Sequence, residues 1–358
     1  MTPQPFRGRG ILEIPGIAVG HAGRLDSDRL TGLTAVLPPS GARAGVDVRG
    51  GGPATHETDV IAPGTHSHGA DAIVLTGGSA LGLASVTGVV GTLAEAGRGF
   101  PAAGLEGTHI PLVPAAAIFD LGRGDGIPRP PTADDGAAAA RAALRSVSEA
   151  EQTTEVRGSL GAGLGARSGM QSMRSSLGSS AIRLPSGHTV AALVAANPLG
   201  TIGTAEGGLW AHPLLRSFGF DLPRVATLPA PPATEDRAAS AKNTTIAVVA
   251  TDAALDPAQV TRMASGAHAG IARAVHPSHT LFDGDTVFGI ATGEVGLSEG
   301  FADSTRDLVA ITAAAADVLS LAIIDAHAAA APVPDAWGQP PTLRDVSPDF
   351  AEAFSALP

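Results

Sequence analysis

The 358-residue chain has no Cys, no Tyr and a single Lys, Lys242. Each absence removes chemistry. Without Cys there is no disulfide framework, thiol nucleophile, zinc–thiolate site or iron–sulfur cluster. Without Tyr there is no phenolic acid or base. One Lys, followed by Asn243, leaves no Gly-x4-Gly-Lys phosphate loop and little room for Schiff-base chemistry. The net charge of −11, with no basic run, argues against a nucleic-acid footprint. Any nucleophile must come from Ser, Thr, a carboxylate, His or water.

Apolar residues make up 44% and charged residues 16%, enough for a large core. The N-terminal MTPQPFRGRG is polar and reads as no secretory signal, so a cytoplasmic location is expected. The longest apolar run, Leu308 to Ile324, is interrupted by Asp317 and reads as a buried helix rather than a membrane span.

Strand-like and helix-like segments alternate. Ala72–Thr76, Leu112–Leu121 and Thr189–Ala195 read as buried strands, after a short strand-like stretch in ILEIPGIAVGHA. Ser79–Ala96 reads as a helix with Ser79 as N-cap, and Thr132–Val147 as an Ala-rich helix with Asp134 and Asp135 early. Asp221–Lys242 is rich in Pro and Ala, has no period, and reads as an exposed linker. Then the character switches. Thr244–Thr251 is a β-branched strand, Asp256 and Pro257 cap a helix to about Ala274, Thr286–Thr292 is a strand, and a last helix runs from Ser304 to about Ala329.

The linker-to-strand junction at Asn243-Thr244 carries the sharpest chemical reading. If that bond were cut, Thr244 would carry a hydroxyl and a free α-amine, whose reference pKa of about 7.7–8.0 suits a general base. The plain alternative is a Thr that merely begins a strand. Asp283-Gly284-Asp285 could orient such an amine, or form an ordinary Asp-Gly turn. Asn197 could donate to an oxyanion, or end a strand before Pro198. Gly161-Ala-Gly163-Leu-Gly165-Ala166 fits a dinucleotide pattern only loosely, with no acid about 20 residues on. Gly77-Gly78-Ser79 fails the nucleophile-elbow pattern. His66 and His68, and His276 and His279 near Asp283, could bind metal; they read better as loop histidines, and neither metal nor cofactor is expected.

Six segments occur in order: GVDVRGGGPATHETD (Gly45–Asp59), LTGGSALGL (Leu75–Leu83), VPAAAIFDLGRGD (Val113–Asp125), AALVAANPLG (Ala191–Gly200), NTTIAVVATDAAL (Asn243–Leu255) and DGDTVFGIAT (Asp283–Thr292). Together they resemble the family of L-aminopeptidase/D-esterase-amidases, β-peptidyl aminopeptidases and nylon-oligomer hydrolases, from about Ile11 to about Ala329. The resemblance implies an α/β fold, a four-layer αββα sandwich with layers like those of N-terminal-nucleophile hydrolases. It implies one domain over residues 1–358, cut into 1–243 and 244–358, with Thr244 as nucleophile, Asn197 on the oxyanion side, and Asp283 and Asp285 supporting the nucleophile. Gly77, Gly78, Phe119 and Arg174 would fall in the substrate and oxyanion region. Phe119 stands where relatives carry a Tyr, and either Arg174 or Met170 falls opposite a family Lys. Thr244 with Asp-Gly-Asp is closer to the nylon-hydrolase branch.

The expected activity is that of a self-processing aminopeptidase or amidase on short peptides or amino-acid amides. An endo-acting hydrolase of 6-aminohexanoate oligomers is the alternative; an acyltransferase or a non-catalytic metal-binding protein ranks lower. The expected partners are a small peptide or amide-oligomer substrate and further copies of the processed chain, a tetramer being favoured by the resemblance, with no nucleic acid and no membrane.

Overall fold

The computed structural model describes residues 4–6, 8–23, 25, 29–67, 69–148, 155–230, 243–333 and 338–357. Two main sheets organise it. The larger has six strands in the order Gln4–Phe6, Leu177–Arg183, Thr189–Asn197, Thr244–Ala253, Thr286–Val295 and Arg43–Val48. The smaller has five, in the order Ala18–Ala22, Leu33–Leu37, Ile73–Thr76, Ala115–Ala117 and Thr55–His56.

Thr244–Ala253 lies in the interior of the larger sheet, antiparallel to Thr189–Asn197 and parallel to Thr286–Val295. A parallel pair needs a crossover, which the Pro257–Ala274 helix supplies. That helix begins as the sequence predicts: Asp256 and Gln259 form a reciprocal capping box, with Pro257 at the first helical position.

Strand alternation sends neighbouring residues into different cores. Ala191, Leu193, Ala195, Ile246 and Val248 join one buried cluster with Val36, Ile73 and Leu75 of the smaller sheet. Val190, Ala192, Val194, Ala247 and Val249 join a second, with Ile271 and Leu319 from helices Pro257–Ala274 and Phe301–Ala328. A third unites Ala35, Val74 and Ala115 of the smaller sheet with Val89 and Leu93 of helix Val86–Glu95 and Ala139 and Ala143 of helix Ala133–Ser148.

Helix Phe301–Ala328 is long and apolar enough to cross a membrane by length and composition, yet 67% of its most apolar window is buried inside the structure. Asp317, the charge that interrupts its apolar run, meets Arg273 of the adjacent helix at 2.5 Å.

Several sequence expectations need correction. Ser79 is not an N-cap: Gly78 holds that position with φ +78°, and no side chain caps the helix. The expected helix Ser79–Ala96 is interrupted by a 3-10 turn at Leu83–Ser85, where Ser85 Oγ donates to Gly82 O at 2.7 Å. The expected strand Leu112–Leu121 shrinks to Ala115–Ala117, since Pro114 lacks an N–H for the ladder. Residues 221–230 of the expected exposed linker are mostly exposed, but Val225 and Leu228 are buried in the second core. The remainder, with Lys242, lies outside the described residues.

Candidate active site

Thr244 begins its strand directly opposite Asn197, the last residue of the neighbouring antiparallel strand. Thr244 shares a strand face with Ile246, and Asn197 with Ala195, so both side chains look toward the end of the core between the sheets. Thr244 is 5% exposed and Asn197 fully buried. Thr244 Oγ1 donates to the carbonyl of Asn243 at 2.5 Å. The hydroxyl therefore sits against the peptide bond that the sequence singles out.

The acid loop lies on the other side. Asp285 Oδ1 accepts from Thr245 N at 2.7 Å, and Oδ2 accepts from His279 N at 3.2 Å and His279 Nδ1 at 2.8 Å. Asp283 accepts from Thr280 N at 2.8 Å and Leu199 N at 3.3 Å. Burial, and then the charge of Asp285, raise the Asp283 pKa. Burial opposes a charge on His279, but the hydrogen bond and attraction of Asp285 outweigh it, so that pKa is raised. His268, edge-on to His279 at 4.9 Å between ring centroids, is lowered to about 4 by burial.

Glycines make this packing possible. A Cβ on Gly284 would lie 2.9 Å from Thr244 Oγ1 and 3.0 Å from Gly52 O. One on Gly50 would lie 2.2 Å from Asp283 O. The Gly50–Gly52 strap instead binds the loop through its backbone, with Gly52 N donating to Asp283 O at 2.8 Å and Gly51 N to Thr280 O at 3.1 Å.

Asn197 is held from behind. Its Oδ1 accepts from Arg123 Nη1 at 2.7 Å and Arg167 N at 3.1 Å, and its Nδ2 faces Phe119 O at 3.5 Å. Next to Phe119, Asp120 accepts from Gly78 N at 2.6 Å and Thr31 Oγ1 at 2.9 Å. A Cβ on Gly77 would lie 2.3 Å from Asp120 Oδ2. Phe119 thus lies beside Asn197, and Gly77 and Gly78 lie against Asp120. Burial, outweighing Arg123, raises Asp120 to about 6; burial and the charges of Arg167 and Arg174 bring Arg123 down to about 9.

Arg174 lies apart. Its guanidinium donates to Ala331 O at 3.1 Å, Leu164 O at 3.1 Å, Ser159 Oγ at 3.4 Å and Gln339 Oε1 at 3.5 Å. Met170, at φ +51°, donates its N–H to Leu199 O at 2.8 Å, close in sequence to Asn197. His276 packs edge-on to Trp210, His279 bonds Asp285, and His66 packs on Phe100; among the described residues no group of three or more His and acidic side chains could hold a metal ion. His68 lies outside the described residues. Gly161–Gly163 forms a 3-10 turn pressed onto Leu177, not a phosphate cradle at a helix start. Sequence reasoning did not find Arg123, Arg167 or the His279–Asp285 contact; Arg123 was within reach, four residues after Phe119 in the segment Val113–Asp125.

Two open clefts of about 640 and 520 Å³ lie elsewhere, and neither is lined by Thr244, Asn197 or Asp283.

The chain belongs to peptidase family S58, whose model matches residues 10–339. It is 40% identical over 341 residues to an uncharacterized aminopeptidase of Mycobacterium leprae, covering 89% of this chain and 90% of that one. It is 30% identical over 349 residues to a 6-aminohexanoate-oligomer endohydrolase of Agromyces sp., covering 91% of this chain and 88% of that one. A solved β-aminopeptidase of Burkholderia sp. shares the fold, with a TM-score of 0.66 and 22% identity over 100% of this chain and 96% of that one. Family and relatives together support a peptidase or amidase.

Proposed function

We propose that the protein is a self-processing amide hydrolase with Thr244 as nucleophile. The observation that carries the reading is the 2.5 Å contact between Thr244 Oγ1 and the Asn243 carbonyl. Oγ attacks the Asn243 carbonyl carbon, the amide becomes an ester, and water hydrolyses that ester. The products are a carboxylate on Asn243 and a free α-amine on Thr244. In turnover Oγ attacks the substrate carbonyl, while the amine takes the proton and returns it to the leaving amine. Water then cleaves the ester with the amine as base. Asn197 donates to the oxyanion, and Asp283 and Asp285 hold the ammonium.

The fragments 1–243 and 244–358 are proposed to stay together. Support comes from the shared sheet, where Thr244–Ala253 is flanked by Thr189–Asn197 in one and Thr286–Val295 in the other. The layering we infer is helix, sheet, sheet, helix, supported by the three buried clusters.

The first substrate class is a short peptide or amino-acid amide, in line with the aminopeptidase relative. A second reading, internal cleavage of 6-aminohexanoate oligomers, is favoured by the endohydrolase relative and by Thr244 with Asp283-Gly284-Asp285. Mass analysis of purified protein tests the mechanism: two fragments are expected, the smaller beginning TTIAVV, and a fully active intact chain would overturn it. Products from an end-blocked oligomer separate the two substrate classes.

A further inference from the structure

We propose that Arg123 is a positioning residue that fixes and polarises the Asn197 amide for the oxyanion. The inference rests on the role of Asn197 in the proposed function. An asparagine amide can be turned either way, and its neighbours decide which face is the acceptor. At Asn197 the decision is forced. A guanidinium and a peptide N–H can only donate, and both point at the same atom: Arg123 Nη1 at 2.7 Å and Arg167 N at 3.1 Å from Oδ1. A turned amide would set N–H against N–H at a fully buried residue and lose both bonds.

The Nδ2 group is therefore fixed on the far side of the amide. Its contact there, Phe119 O at 3.5 Å, is longer than an ordinary hydrogen bond and leaves donor capacity for a developing negative charge. The strand register keeps this amide directly across from Thr244. Arg123 is well placed to hold it. It is 7% exposed, it also donates to Gly165 O, and it follows the Ala115–Ala117 strand, so it reaches from the smaller sheet to the larger. A cation bonded to Oδ1 draws electron density from the amide nitrogen and strengthens Nδ2–H as a donor. Arg123, Arg167 and Arg174 act on one another electrostatically, with Asp120 as the carboxylate in their field. An oxyanion forming beside Asn197 Nδ2 lies across the amide from the Arg123 cation, in a buried site where that attraction is little screened.

A double-mutant cycle tests the inference. Protein of known cut state is assayed on L-alanine p-nitroanilide as wild type, Asn197→Ala, Arg123→Gln and the double variant. Arg123→Gln should lower kcat by about 100-fold, as loss of orientation does, with KM little changed. In the Asn197→Ala background the same change should cost no more than about twofold. Equal losses in both backgrounds, or a loss in KM alone, would overturn the inference. Variants that stay uncut, and a wild type inactive on this amide, are read through the same cycle on the rate of Asn243–Thr244 cleavage. If Arg123→Gln does not fold, Arg123→Lys replaces it, with a smaller loss that again vanishes without Asn197. Turnover by Thr244→Ala, or an Asn197→Ala variant as fast as wild type, would sink the proposed function itself. Additive losses with Thr244→Ala inactive would sink the Arg123 inference alone.

Discussion

Asn197 and Thr244 face each other across two antiparallel strands, the last residue of one against the first of the other. Both strands are buried along their whole length. The pair is thus placed by two rigid elements rather than by loops, which fixes the amide and the hydroxyl relative to each other. The surrounding contacts lead to specific expectations.

Gly284 has no side chain for a reason of space. Its φ lies outside the left-handed region, so an Ala would fit the backbone, but its Cβ would press on Thr244 Oγ1 and Cγ2 and on Gly52 O. Gly284→Ala should slow Asn243–Thr244 cleavage and turnover by about 10- to 100-fold. Mass analysis over time and steady-state kinetics check this; cleavage at the wild-type rate would refute it.

Asp283 has a raised pKa, first through burial. A raised folded-state pKa means stability present below the ordinary carboxylate range and lost as pH rises through the raised value. In the uncut Thr244→Ala chain, Asp283→Asn should therefore raise Tm at pH 7.5 and raise it much less near pH 4. The gain at pH 7.5 should shrink in Thr244→Ser protein that has cut itself, where an ammonium faces the carboxylate.

His279 also has a raised pKa, with Asp285 overcoming burial. Its pairing contributes fully below the ordinary histidine value of 6.5 and fades as pH climbs through the raised one. His279→Gln should lower Tm more at pH 6 than at pH 9. Equal losses at both pH values would show that the ring acts by packing alone. The other charged groups facing this ring are Arg49 and, through His268, Asp47.

Arg174 binds the carbonyls of Leu164 and Ala331 from a buried position. Arg174→Met would leave both without that donor, at a cost of about 3 kcal/mol of unfolding free energy, measured in denaturant. A loss below about 0.5 kcal/mol would show that these bonds add little.

Much of the stretch from Thr244 to Ala274 was legible because its signals are local. TTIAVVAT is β-branched, Asp256-Pro257 is a cap, and the helix that follows has its Gln259 in place. The Leu177–Arg183 strand was not read, because its sequence LGSSAIR has two central serines and little apolar pattern. One of them, Ser179, is satisfied by distant partners: its Oγ donates to Ala192 O at 2.6 Å, and its N–H to Asp325 at 3.0 Å. Val225 and Leu228 are too sparse to show a period, so their burial depends on a core built elsewhere. Arg123 and Asn197 stand 74 residues apart, and a lone Arg in a sequence reads by default as solvated surface. Gly77-Gly78-Ser79 misled the cap assignment because the turn needs a left-handed residue before the helix, which Gly78 supplies.

Asn243 pairs in a parallel bridge with Asp283, so the proposed scission before Thr244 would fall beside a carboxyl group that burial makes reluctant to ionise. Scission there would create two new ends of opposite charge. The ammonium end of the downstream fragment would favour ionisation of Asp283, and the acids so charged would hold that end and repel the carboxylate end of the upstream fragment. The same electrostatics would thus eject the spent end and retain the working one. Re-ligation would require driving an anion back against two acids, which would make the proposed maturation a ratchet rather than an equilibrium.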